Sequence, residues 1–454
     1  MLKLNLKLIL SLLFFLVVSF YYNNIAIIVI AILLNLMGMF FNNVCFKNNK
    51  DNSFEIFQLF FLIYSIYAFI INEVYIESGY DDYFIAIDSS KFFANTQNLL
   101  AFKSYINSIT SIEGNYLLTE TRGFYYISVT VGYLANFIQT NTYYIQLMII
   151  TFISSLLIST VYNLLNLYID HKQSYYYAIV YGLFSFTFAY SANILRDVHI
   201  SVLFALGFYY FLKYKTPNNL IRLGIILYLL SLFRPEHAAF FGVIILLYIY
   251  IVIFNSNLTI TKKLLWSVFG STILLIIFFR FNVLYILELF SSTSQRYSEL
   301  NTEDATQDGL GAALLNLPPG IKHIARATYS QILPFPITSG LSTSRGIIKL
   351  LAFPVMLGGI FWFLVWVVSL SRIKNLKFFT IDYKYLLLLS LLFLVFASAA
   401  SGDFRRLMAV YPLIYLFAVS TYISLSKSQK FRIVGGGIII YISLHVVYIS
   451  LKFL

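Results

Sequence analysis

Apolar runs of about 20 residues recur along this chain, and a run of that length is what a helix needs to cross the hydrocarbon core of a bilayer. The candidate spans are 7–22, 25–42, 56–72, 142–168, 174–193, 197–212, 219–233, 237–254, 264–280, 350–371, 384–400, 407–425 and 432–451. In all, 60% of the 454 residues are hydrophobic and only 11% are charged. A soluble domain would carry roughly a quarter charged residues, so lipid is the natural solvent for this chain. The first stretch, Met1–Phe20, carries Lys3 and Lys7 ahead of an apolar run, as a signal peptide does. No small-residue cleavage site follows and a second apolar run begins at once, so it reads as a retained first helix. The expected fold class is all-α, a polytopic transmembrane helix bundle of about 13 spans. Residues 1–454 form one integral membrane domain, with no internal repeat and no separate soluble domain. Two long polar stretches, 73–122 and 281–349, interrupt the pattern, and 123–140 reads as an interfacial or re-entrant helix.

The single Cys45 excludes an internal disulfide and any multi-cysteine metal site, and the five histidines show no zinc-type spacing. No metal ligand set and no cofactor is therefore indicated, although a divalent ion would be compatible with the chemistry below. The formal charge of +12 invites a nucleic-acid reading. The basic residues are dispersed between apolar segments rather than clustered, so nucleic acid is rejected as a partner and the bilayer takes its place.

Sidedness follows from the enrichment of Lys and Arg in cytoplasmic loops. With the N-terminus in the cytoplasm and 123–140 not crossing, the inner loops carry 17 of the 31 basic residues but only four of the 19 acids, namely Asp51, Glu55, Asp170 and Asp382. A full crossing by 123–140 would flip every later loop and turn the basic loops outward. Stretches 73–122 and 281–349 then become the first outer loop and a large outer loop or lid. In the latter, the apolar pieces 310–317 and 324–335 suggest short helices over the outer face.

The unusual polar residues gather on that outer side. The first loop reads Asp81-Asp82-Tyr83, then Asp88-Ser-Ser-Lys91, and ends in Glu120-Thr-Arg122-Gly123. Three short hairpins between apolar spans follow: Arg196-Asp197, Arg234-Pro235-Glu236-His237 and Asp403-Phe404-Arg405-Arg406. Ionisable groups near membrane depth are costly and often mark a functional cavity. The pattern suits transfer from a polyprenyl-(pyro)phosphate sugar, whose lipid stays in the bilayer with its phosphate at the interface. Arg binds two phosphate oxygens with its planar fork, and a carboxylate can act as general base on an attacking sugar hydroxyl. Asp81, Asp82 and Asp88 are the candidate catalytic groups. Glu120, Arg122, Arg196, Asp197, Arg234, Glu236, His237, Asp403, Arg405 and Arg406 are the candidate substrate-binding groups. Tyr80, Tyr83, Phe92 and Tyr125 offer faces for sugar stacking.

Each feature also has a plainer reading. Arg196-Asp197 fits an ion pair at a helix end, Arg234 and Glu236 fit snorkelling turn residues, and Asp81-Asp82 fits a solvated loop. Arg405-Arg406 fits lipid headgroup contacts. His237 by itself fits a packed or hydrogen-bonded histidine.

Four features together resemble the EpsG-like and Wzy-type polysaccharide polymerases of bacterial surface glycans. They are Asp-Asp-Tyr at 81–83, Glu120-x-x-Gly123-Phe-Tyr-Tyr126, Ile-Leu-Arg-Asp at 194–197 and a hairpin ending in His-Ala-Ala-Phe at 237–240. Gly402-Asp403-Phe404-Arg405-Arg406 ahead of Pro412 resembles the late Arg motif of the wider GT-C glycosyltransferases. The chain departs from the EpsG-like pattern at Asp197, where that pattern commonly has Gln. The resemblance implies a GT-C-like architecture and an enzyme of the cell inner membrane. Such an enzyme joins undecaprenyl-pyrophosphate-linked repeat units of O-antigen, capsule or exopolysaccharide on the periplasmic face, and a chain-length regulator is a candidate partner. Two other functions stay open. One is a GT-C transferase that moves a single sugar from polyprenyl phosphate. The other is a flippase or transporter, which would show polar groups at the bilayer midplane and commonly inverted repeats.

Overall fold

A computed structural model of the chain describes residues 6–78, 86–102, 104–115, 118, 121–254, 259, 261, 268, 317–318, 321–332, 348–400 and 404–453. Among the described residues the fold is all-α, with no strand. The chain divides into two compact units, Met1–Ala205 with Ile337–Phe361, and Leu206–Pro336 with Trp362–Leu454.

In the first unit the helices are α1 (Leu6–Tyr21), α2 (Ala26–Cys45), α3 (Lys50–Ser78), α4 (Ala86–Leu100), α5 (Tyr105–Gly114) and α6 (Arg122–Ile138). They continue with α7 (Tyr143–Leu165), α8 (His171–Phe184), α9 (Phe186–Tyr190) and α10 (Asp197–Lys213), whose part from Leu206 onward belongs to the second unit. α7 is buried almost all round, which accounts for an apolar sequence without an amphipathic stripe. Several of its hydroxyls are satisfied within the helix: Ser155 donates to the Thr151 carbonyl at 2.6 Å, and Thr160 donates to the Leu156 carbonyl at 2.7 Å. α3 packs antiparallel along α7. Near one end the Asn163 amide donates to Ser53 Oγ at 2.7 Å, and further along Ser65 and Thr151 hydroxyls meet at 3.3 Å. Close approach of α8 depends on Gly182, where a Cβ would lie 2.3 Å from the Phe60 ring.

The unit has two polar ends. At one, Lys7 donates to Glu55 at 2.5 Å and to Tyr175 at 2.9 Å, and His171 sits between Tyr162 and Asn52. At the other, Tyr21 donates to Glu73 at 2.8 Å, Tyr22 also donates to Glu73, and Asn24 donates to the Thr140 carbonyl at 2.9 Å. α1 and α3 therefore run parallel, and the end of α6 returns to the α1–α2 turn. There Gln139 accepts the Ile25 N–H at 2.8 Å.

The second unit holds α11 (Asn219–Phe233), α12 (Pro235–Tyr248) with a π-helical turn at Ile249–Phe254, α13 (Ile321–Ser330), and α14 (Ile348–Ser371), whose first part belongs to the first unit. After a 3₁₀ turn at Ile373–Phe378 come α15 (Ile381–Ala400), a 3₁₀ turn at Phe404–Ala409, α16 (Tyr411–Ile423) and α17 (Lys427–Phe453). Pro235 opens α12 at its first position, where a missing N–H costs nothing.

Among the described residues, five helical stretches are long and apolar enough to cross a membrane: Ala26–Cys45, Lys50–Glu73, Tyr143–Leu165, Phe353–Ser371 and Lys427–Tyr448. Leu6–Tyr21, Asn219–Phe233, Pro235–Ile251 and Tyr411–Ile423 are apolar but shorter. Expected span 174–193 is broken at Ser185, which ends α8 and accepts the Thr187 N–H at 3.3 Å to start α9. Expected span 264–280, apart from Val268, lies outside the described residues. The polar stretch 73–122 holds two helices, α4 and α5, the second capped by Ser104 accepting the Asn107 N–H at 3.2 Å.

Candidate functional site

Asp81, Asp82, Glu120 and Asp403, together with Tyr80 and Tyr83, lie outside the described residues. The remaining candidates fall into two groups, one in each unit.

In the first unit Asp88 occupies the first turn of α4 and is half-buried, where a carboxylate complements the positive end of the helix. The next residue, Ser89, is fully buried; its hydroxyl meets Tyr143 Oη at 2.6 Å and accepts the Ile194 backbone N–H at 2.8 Å. Ile194 stands two residues before Arg196, so one hydrogen bond ties the helix of Asp88 to the hairpin of Arg196 and Asp197. Tyr143 opens α7 beside Tyr144, whose ring lies 5.8 Å from that of Tyr22. The pair therefore sits at the end of the unit that carries Tyr22 and Glu73, opposite Lys7 and Glu55. Asp197 is buried in the first turn of α10.

Arg122 begins α6 and is buried; its Nη1 donates to Glu113 Oε2 at 3.4 Å. Burial raises the pKa of the nearby Tyr125 hydroxyl, opposed by a hydrogen bond from Asn95 and by the positive charge of Arg196. Phe92 and Tyr125 stand 5.8 Å apart between ring centroids, Phe92 and Phe124 4.8 Å, and Phe124 meets His199 edge-on at 5.9 Å. These aromatics pack on one another, so the stacking faces expected at Phe92 and Tyr125 are largely taken up within the cluster.

In the second unit Arg234 links α11 to α12 in an extended conformation and is buried, with Glu236 and His237 in the following turn. His237 Nε2 lies 3.3 Å from the Arg406 carbonyl, and its ring packs 5.1 Å from Phe393. The contact brings the Arg234–His237 hairpin to the 3₁₀ turn that carries Arg405 and Arg406, both half-buried. It also matches the plainer reading of His237 as a packed and hydrogen-bonded histidine. Among the described residues no group of three or more His, Cys, Asp or Glu is placed to hold a metal ion.

Sequence reasoning did not single out Ser89, Tyr143 or Glu113. Ser89 had one available signal, its place beside Asp88 in a helix start. Glu113 and Tyr143 had none, since the partners of each are fixed only by the fold.

The chain matches no family model, no curated protein and no solved structure at a significant level, so the polymerase resemblance is carried by the residues quoted for it.

Proposed function

We propose that this protein is a multi-pass membrane glycosyltransferase of GT-C-like architecture with about 13 spans. In this reading it joins polyprenyl-pyrophosphate-linked oligosaccharide repeat units of a surface polysaccharide on the outer face of the inner membrane, with its N-terminus in the cytoplasm. The observation that carries the reading is the Ser89–Ile194 hydrogen bond. It draws a candidate base, Asp88, and a candidate phosphate ligand, Arg196, to one end of an apolar bundle. A sugar hydroxyl of the acceptor gives its proton to the carboxylate as its oxygen attacks the anomeric carbon of the donor. The bond from that carbon to the phosphate oxygen breaks, and the lipid pyrophosphate leaves with its growing charge met by guanidinium groups. Asp81, Asp82 and Asp88 supply the base. Within the first unit Arg122 and Arg196 supply positive charge, and Asp197 orients the substrates.

Arg234-Pro235-Glu236 at the head of α12 supports a second reading, a GT-C transferase that moves one sugar from polyprenyl phosphate. The products separate the two. Loss of a polymerase leaves surface glycan of one repeat unit, whereas loss of a single-sugar transferase leaves long chains lacking a sugar. Asp88→Asn, Arg196→Ala and Arg234→Ala should each abolish long-chain glycan on gel analysis while protein abundance is kept. Wild-type ladders in all three well-expressed variants would sink the site.

A further inference from the structure

We propose that Arg122 and the amino terminus of α6 bind a phosphate-class anion, and that the Glu113 carboxylate is an internal stand-in which that anion displaces. The proposal deepens the polymerase reading, in which that group is the pyrophosphate of a lipid-linked glycan.

The Arg122 side chain retains only 9% of its surface. Among the described residues its one ion pair is the 3.4 Å contact from Nη1 to Glu113, and its buried Nε has no hydrogen-bond partner there. A guanidinium presents five donors in a rigid fork, and burying it against a single long contact leaves much of its desolvation cost uncompensated. An Arg–carboxylate pair built for stability is instead short and often bidentate. Glu113 is 45% exposed and hangs from the ten-residue α5, so water competes for its carboxylate. Tyr126 Oη also donates to Glu113, which places a third donor at the same spot.

The surroundings favour an anion with more acceptors than this carboxylate offers. Arg122 is the first residue of the 17-residue α6, and Thr121 before it gives no side-chain cap. The helix dipole and the Arg122 and Gly123 N–H groups, which precede the first bonded N–H at Phe124, therefore favour negative charge. Arg196 adds positive potential at Tyr125, within one turn of the helix start. A phosphate-class anion has oxygens enough to reach more than one edge of the Arg122 guanidinium, whereas Glu113 reaches Nη1 alone. The same chemistry would hold a bilayer phospholipid headgroup or free phosphate.

Thermal unfolding of the full chain in detergent, titrated with inorganic pyrophosphate and separately with phosphatidylglycerol, tests the site. The wild type should stabilise saturably. Glu113→Gln should bind roughly three- to fivefold tighter, the scale of displacing one partly exposed ion pair. Arg122→Lys, which keeps the charge but loses the fork, should bind about tenfold more weakly, the scale of one charge-assisted hydrogen bond. Arg122→Gln should show no saturable shift; if it does not fold, the other two variants still decide. The same variant pattern with phosphatidylglycerol but not pyrophosphate keeps the site and assigns it to a lipid headgroup. Equal affinities in wild type, Glu113→Gln and Arg122→Lys, or no saturable response to either anion, overturn the proposal. Anion binding without glycan extension sinks the polymerase reading and leaves this site standing, and extension with unchanged affinities does the reverse.

Discussion

Ser89 accepts the backbone N–H of Ile194 at 2.8 Å while its hydroxyl also meets Tyr143 at 2.6 Å. A single buried oxygen thus joins three segments far apart in sequence: the start of α4, the start of α7 and the hairpin before α10. The joint brings the backbone at Asp88 and the backbone at Arg196 near one another, because each is within two residues of it.

Ser89→Ala should loosen that joint. It strands the Ile194 N–H in a buried place, and an unsatisfied buried donor costs about 1–3 kcal/mol. The expected result is a lower unfolding temperature in detergent and shortened surface glycan. Ser89→Thr keeps the hydroxyl and should recover part of both. An unchanged melting curve in Ser89→Ala would show that the hydrogen bond contributes nothing.

Arg196→Lys keeps a positive charge beside Tyr125 but gives up the planar fork. If Arg196 meets charge on the departing pyrophosphate, glycan extension by purified protein should fall about 10²–10³-fold, the range seen when one preorganised donor is removed. The melting temperature should move little. A rate within a factor of two of wild type would remove Arg196 from the proposed chemistry.

Helices that are apolar throughout were legible from the sequence. The expected span 219–233 coincides with Asn219–Phe233, and 142–168 contains Tyr143–Leu165, because a continuous apolar run leaves the backbone no cheaper way to meet its hydrogen bonds. Helix ends were less legible. The expected span 56–72 extends to Lys50–Ser78, since polar residues continue a helix once they reach water. α4 and α5 were hidden inside a stretch that reads as loop, their Ser and Asn content masking helices that are held by Ser89 and Ser108. Ser108 donates to the Leu99 carbonyl at 2.7 Å. At the candidate site the charged groups stood out because charge is rare in this chain. Their partners did not, because Ser89, Glu113 and Tyr143 acquire meaning only from contacts across 9 to 105 positions.

Gly207 on α10 faces the Phe241 ring on α12, where a Cβ would fall 2.4 Å from a ring carbon. Phe241 is fully buried and cannot swing into open space. Gly207→Ala should therefore destabilise by about 1–3 kcal/mol through overpacking. Phe241→Leu in the same chain should restore part of the loss, so the double variant is more stable than the sum of the single changes implies. Strict additivity in thermal unfolding would show that the two helices separate without strain.

Gln331, just after α13, accepts from two indoles at once: Trp362 Nε1 at 3.1 Å and Trp366 Nε1 at 3.2 Å. Trp362 is buried and stacks on Tyr411 with centroids 3.6 Å apart, so its N–H has little access to other partners. Gln331→Leu removes the shared acceptor. Leaving even one of these donors unsatisfied should cost about 1–3 kcal/mol, and it should change the environment of two of the three tryptophans in the chain. Gln331→Glu retains an acceptor oxygen and should stay nearer the wild type. The measurements are intrinsic tryptophan emission and thermal unfolding of the detergent-solubilised chain. An emission maximum and melting temperature in Gln331→Leu equal to those of the wild type would show that the loop after α13 is not fastened to α14 by this contact.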